Sequence, residues 1–347
     1  MQSNFILTDV MRTGPHQHYE SFIAMHTMED QKFQCTGEYY TLHNYDLDSY
    51  DRKLAIIDVA VSQNDNIREN TEFNSDLRRR CDLLHSQGFK FIKATPWESL
   101  DNLSKTDTHP VIDVPHLKWT GGVSWFWWYM YNKHSGNNFN FVHTNKKYDY
   151  LYLNKMPRRH RTNLYTALQD TTTLDNSLVT YWPHNKKLSA EFELPWVDNY
   201  PYQGMDQDFF EKPYNETKYS LISESNDTAN EIFMTEKIWK AIIAQQPFVV
   251  HGNHLYLQKL REMGFKTFGA YFDESYDLQS DRSKKVDEIC KLCKDLLKKD
   301  WRDLYLQSKA LRQHNHDHFF DRQALCKEID KTLVGFLEFF DSSQVTS

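Results

Sequence analysis

The chain has 347 residues, 39% hydrophobic and 15% aromatic, and its 48 acidic against 41 basic side chains leave a formal charge of −7. That length predicts two α/β domains of roughly 150 residues each, and the aromatic content excludes a disordered chain. The negative balance gives no bulk attraction to nucleic acid or to an anionic membrane.

The first residues, 1–12, hold a short apolar stretch at Phe5, Ile6 and Leu7 without a basic region before it. No signal peptide is expected from that pattern, and no window approaches the roughly 20 apolar residues of a transmembrane helix. The sequons at Asn102, Asn215 and Asn226 then read as chance, and the five cysteines at 35, 81, 290, 293 and 326 read as reduced thiols of a cytoplasmic protein.

Along the chain, the run 54–61 reads as a strand, 75–87 as a helix closed by Gly88, and 89–94 as a second strand, a pattern that implies a parallel sheet. The loop 95–99, with Glu98 in it, follows a strand's carboxyl end, the edge at which open parallel sheets bind ligands. The segment 121–133 reads as an aromatic helix whose Trp125, Trp127 and Trp128 pack in a core, with a sugar platform as the alternative.

A strand at 138–143 closes a first domain, 1–147. The domain from 148 to 285 reads as strands 149–154, 178–182, 219–223, 247–251 and 265–268, with helices 161–170, 235–245 and 255–263. Beyond it, 286–347 reads as a helical tail, broken near His314–His318, that packs across both domains.

Chemistry concentrates in 218–252, where a strand ends in Ser223, Glu224 and Ser225 and a helix starts at Glu236 and Lys237 behind Thr235, whose hydroxyl is expected to cap it. A glutamate in a first helical turn satisfies the helix dipole without any further role. The sharper alternative is a phosphate site, because helix N-termini present free N–H groups and a neighbouring ammonium neutralises charge.

This order of motifs resembles the α1,3-fucosyltransferases, in which a strand ending Glu-Asn-Ser precedes an aspartate-aromatic-Ile/Val-Thr-Glu-Lys motif, a helix and an apolar strand with Pro-Val and Gly. Here Phe233, Met234, Thr235, Glu236 and Lys237 occupy the second motif and 247–252 the last, with a gap between the glutamates about two residues longer. The stretch 157–168 is similar to the family's Ala-Pro-x-Arg-x-x-Phe-Tyr-x-Ala-Leu, with Arg161 as its arginine.

The resemblance covers about a third of the chain and implies the GT-B arrangement, two Rossmann-like domains facing a cleft. It further implies a nucleoside diphosphate sugar as donor, a GDP-sugar such as GDP-fucose above others, and inverting transfer to a hydroxyl acceptor of unspecified class, a glycan, lipid, protein or modified base. By the same resemblance Arg161 and Lys237 hold the diphosphate without an obligatory metal, Glu236 reads the ribose, and Glu224 and Ser225 line the sugar. Ser225 stands where the family has asparagine, so the sugar is open.

Inverting transfer needs a general base. Glu98 is the candidate, because Trp97-Glu98-Ser99 resembles the family's Glu-Ser-Pro, with Asp113 and His116 as rivals. Two other classes compete: a non-catalytic nucleotide- or nucleic-acid-binding Rossmann protein, and a metal-dependent hydrolase using His314, His316 and His318. Cys290 and Cys293 have Cys-x-x-Cys spacing but read as half-buried helix thiols, and 272–277 reads as the border of the donor pocket or as an acidic surface turn.

Overall fold

The computed structural model describes residues 4–9, 32–35, 44–50, 52–58, 71–95, 98–99, 107–109, 112–120, 122–154, 158–180, 209–225, 227, 231–329 and 331. Two compact units divide the chain, one of Met1–Trp125 with Cys326–Ser347 and one of Phe126–Leu325. The division falls before the position expected near 147, and the tail helices up to Leu325 belong to the second unit. No described helix is long and apolar enough to cross a membrane.

The first unit is built on β1 (Asn4–Asp9), β2 (Lys32–Cys35), β3 (Arg52–Asp58), helix α1 (Thr71–Ser86), β4 (Lys90–Thr95), the two-residue β5 (Glu98–Ser99), β6 (Asp107–His109) and β7 (Ile112–Thr120). Its sheet runs β2-β1-β3-β4-β7-β6, parallel throughout except for the β6–β7 pair. The expected strand-helix-strand unit is β3-α1-β4. Its apolar periodicity buries Cys81 and Leu84 of α1 and Ala55, Phe89 and Phe91. Gly88 ends the helix at φ +81°, a left-handed turn that only glycine adopts without strain. Strands β1, β2, β6 and β7 were not read from the pattern.

The division falls within α2 (Gly122–His134), and the second unit goes on with β8 (Tyr148–Leu153), α3 (Arg159–Gln169), β9 (Leu178–Thr180), α4 (Glu211–Glu216), β10 (Thr217–Ser223) and the short β11 (Glu231–Ile232). It continues with α5 (Glu236–Ile243), β12 (Phe248–His251), α6 (Tyr256–Glu262), α7 (Arg282–Lys298), α8 (Trp301–Gln307) and α9 (Lys309–Phe319). Four parallel strands form a sheet in the order β12-β10-β8-β9. Every residue of β12 and nearly every one of β10 is buried, as in a parallel sheet covered on both faces.

Helices α3 and α7 pack together, and the Tyr150 hydroxyl, on β8, donates to the Cys293 carbonyl of α7 at 2.6 Å. A second pair, α5 and α9, encloses an aromatic core in which Trp127 lies 5.8 Å from Trp239 and 4.9 Å from Phe265. Trp127 is fully buried and donates its indole N–H to Phe319 O, which makes it a core residue; the side chain of Trp125 lies outside the described residues.

Several expected elements differ. Residues 138–143 form no strand, because their main-chain donors go to side chains: Asn140 N–H to Glu211 and Val142 N–H to Asn215. Residues 265–268 likewise stay irregular, with Lys266 N–H given to Asn315 and Phe268 N–H to Glu274. The tail is not broken at His314–His318, which lies inside α9; the breaks fall at Lys299–Asp300 and Ser308.

The segment 272–277 is exposed at Asp273 and Ser275 but anchored at its end: Asp277 is 2% exposed and accepts from Leu257 N–H and Gln258 N–H, so it caps α6 from a distance. Cys290 and Cys293 are buried free thiols, and burial pushes Cys290 up to about 11.

Candidate functional site

All three parallel strands β8, β10 and β12 end at one edge of the second sheet, and the helices α3 and α5 begin there. The register pairs Ser223 with His251, and Glu224 N–H donates to His251 O at 3.0 Å, so Glu224 is the first residue beyond the central strand.

Glu224 is completely buried, and its carboxylate is fully engaged. One oxygen accepts from Thr235 N–H (3.0 Å) and the Tyr256 hydroxyl (2.7 Å); the other accepts from the Thr235 hydroxyl (2.6 Å). The expected capping of α5 by Thr235 therefore does not occur. Thr235 occupies the N-cap position, but its hydroxyl donates to Glu224 and accepts from Lys237 Nζ rather than from a helix N–H, and it makes no side-chain cap bond. Sequence reading missed this clamp, since Tyr256 sits 32 positions away in a helix with ordinary amphipathic spacing.

The main-chain carbonyls of the same strand end hold α3. Arg161 Nε donates to Glu224 O at 3.1 Å, and its Nη2 reaches Ser223 O at 3.4 Å and the Ser225 hydroxyl at 3.0 Å. Arg161 is only 3% exposed. From the other side, Lys237 Nζ lies 3.4 Å from the Ser225 hydroxyl, 2.9 Å from the Thr235 hydroxyl and 2.7 Å from the Glu236 carboxylate. Two cations from two helices thus converge on one neutral hydroxyl.

Glu236 is 7% exposed. Burial raises its pKa, but the charges of Lys237 and Lys240 outweigh burial and hold it below the usual carboxylate value, so it is ionised. Its negative charge balances Lys237, and at a first helical turn it is further favoured by the helix dipole.

Beside this pair stand two histidines. His160 Nε2 is 2.8 Å from Glu224 O and its Nδ1 is 3.5 Å from Asp227, while the ring of His251 lies 5.6 Å from that of His160. Burial, then the charges of His160, Lys285, Arg161 and Arg282, push His251 down to about 3. Burial also lowers His160.

Because a buried His251 stays neutral while the unfolded chain takes up a proton below about pH 6.5, its contribution to stability is full above that pH and lost as the pH falls toward 3. Denaturant melts are expected to show this group costing about 2 kcal/mol between pH 7 and pH 5. His251→Gln should flatten that limb, and an unchanged limb would contradict a neutral buried ring.

The remaining predicted residues fall elsewhere. Glu98 lies in β5, and Asp113 and His116 lie in β7; the side chains of all three are outside the described residues. His314 and His318 direct ring nitrogens at the carbonyls of Gly264 and Met263, and among the described residues no three His, Cys, Asp or Glu side chains could share a metal ion.

Fold and site together define an α/β protein with two mainly parallel sheets and a cationic cluster at the carboxyl edge of one of them. No family model matches the chain, and it matches neither a curated protein nor a solved structure.

Proposed function

We propose that the chain is a nucleotide-sugar-dependent glycosyltransferase of the two-domain GT-B type, with its donor diphosphate held at the carboxyl edge of β10. The observation that carries this reading is the meeting of Arg161 and Lys237 on the Ser225 hydroxyl. A neutral oxygen shared by two cations marks where anionic oxygens are stabilised, and positions at strand ends and helix starts are where parallel sheets bind phosphates.

In this reading Arg161 and Lys237 neutralise the leaving diphosphate in the role that a divalent ion plays elsewhere, Glu236 takes ribose hydroxyls, and Ser225 sits under the phosphates. The engaged carboxylate of Glu224 serves to fix Thr235 and thereby the start of α5. Glu98, just past β4 in the first unit, is the candidate general base; Glu98→Gln tests it, with turnover falling while donor affinity holds.

A thermal-shift screen of nucleoside diphosphates and their sugars tests the whole reading, because a ligand of the native state raises its melting temperature increasingly above the dissociation constant. A GDP-sugar is the expected hit, followed by transfer to a hydroxyl acceptor. Binding without transfer or donor hydrolysis would point to a non-catalytic nucleotide-binding protein, and no hit would remove the donor site.

A further inference from the structure

At the same sheet edge, one residue has no partner for its side chain. Asn154 is the first residue past β8 and is 2% exposed; its main-chain N–H is taken by Thr180 O at 2.8 Å, yet neither its side-chain oxygen nor its side-chain nitrogen has a hydrogen-bond partner. Burying both ends of a carboxamide unpaired is destabilising, and such groups are rare in folded chains.

Side chains alternate along a strand, so Asn154 shares a face with Tyr152 and Tyr150. Tyr150 reaches α7 on that face and the Tyr152 hydroxyl lies 3.0 Å from the Ser223 hydroxyl. Continuing the pairing of Tyr219 with Tyr150 and of Ser220 with Leu151 places Asn154 level with Ser223, in one row with His251, where α3 begins. The Ser223 carbonyl is itself held by Arg161.

We propose that Asn154 holds hydroxyls of the sugar attached to the donor diphosphate, an inference that rests on the nucleotide-sugar reading above. A carboxamide presents a donor and an acceptor side by side. Phosphate oxygens only accept and leave Oδ1 unmet; a cation engages Oδ1 and leaves Nδ2 unmet; adjacent sugar hydroxyls, which donate and accept, meet both. The place next to Arg161 favours a group bonded directly to the diphosphate over a distant base, and Glu236 is the residue assigned to the ribose. Glu224, the residue first expected to position the sugar, is completely buried and already accepts three hydrogen bonds from Thr235 and Tyr256.

Calorimetry on the full chain with GDP, GDP-fucose, UDP and UDP-glucose, for the parent and Asn154→Ala, tests this. The expected result is about a tenfold or greater loss of affinity for the sugar nucleotide and a change under about twofold for the matching nucleotide. Equal losses for both, or none for either, overturn the assignment while leaving the diphosphate site standing. A parent that binds none of the four overturns the nucleotide-sugar reading and this inference with it. A second measurement excludes a merely structural role: without ligand, Asn154→Leu is expected to melt at or above the parent, and a melting point lower by several degrees would mean that the amide is already partnered.

Discussion

Glu224→Ala is expected to be the most destabilising single change in the second unit, at about 3–5 kcal/mol by denaturant melt. The substitution removes one carboxylate but strands three donors, Thr235 N–H, the Thr235 hydroxyl and the Tyr256 hydroxyl, none of which has water to turn to. The effect is larger than that of losing one contact because β10, α5 and α6 all meet at this side chain. Glu224→Gln should be milder, since one oxygen still serves two donors and the amide can give to the Thr235 hydroxyl. An alanine variant within about 1 kcal/mol of the parent would show that the clamp holds nothing.

The second large effect separates the two cations. Lys237→Ala is expected to weaken donor binding by about 2–5 kcal/mol, as a partly buried diphosphate loses one of its two compensating charges. Its melting point should fall less than that of Arg161→Ala, because the ammonium touches Ser225, Thr235 and Glu236 at a partly exposed position and Lys240 still offsets the buried Glu236 carboxylate. Arg161→Ala should lose binding to a similar extent and also stability, by roughly 2–4 kcal/mol, because its buried guanidinium ties α3 to the carbonyls of Ser223 and Glu224. Lys237→Ala binding the preferred donor as the parent does would end the diphosphate assignment.

Much of the core fold was legible where a local signal decided it. The runs 54–57 of β3 and 248–250 of β12 are continuously apolar, as strands of parallel sheets are, and Gly88 stops α1 for a steric reason visible in one residue. Residues 138–143 and 265–268 also carry apolar side chains in strand-like stretches, yet the donors that a strand would pair are captured by Glu211, Asn215, Glu274 and Asn315. Nothing in a window of a dozen residues reports such distant side chains.

The site divides the same way. Arg161, Glu224, Ser225, Glu236 and Lys237, drawn together by motif alone, do lie within one hydrogen-bonded group. The job of Glu224 was not legible, because it depends on Tyr256 and on which proton Thr235 donates. Asn154 was invisible for a related reason: its mark is the lack of a partner, which appears only once every neighbour has a position.

The Glu224–Thr235 clamp also bears on how this edge of the molecule can be altered. The two residues are 11 positions apart and are joined directly, so the chain between them, β11 included, is closed at its base. Lengthening such a loop costs little, about 0.6 kcal/mol for each doubling, because closure entropy grows only logarithmically with length. Residues inserted between Ser225 and Thr235 would leave the start of α5, and Lys237 on it, where they are. This stretch is therefore the one whose length can change at small cost while the two cations keep their places.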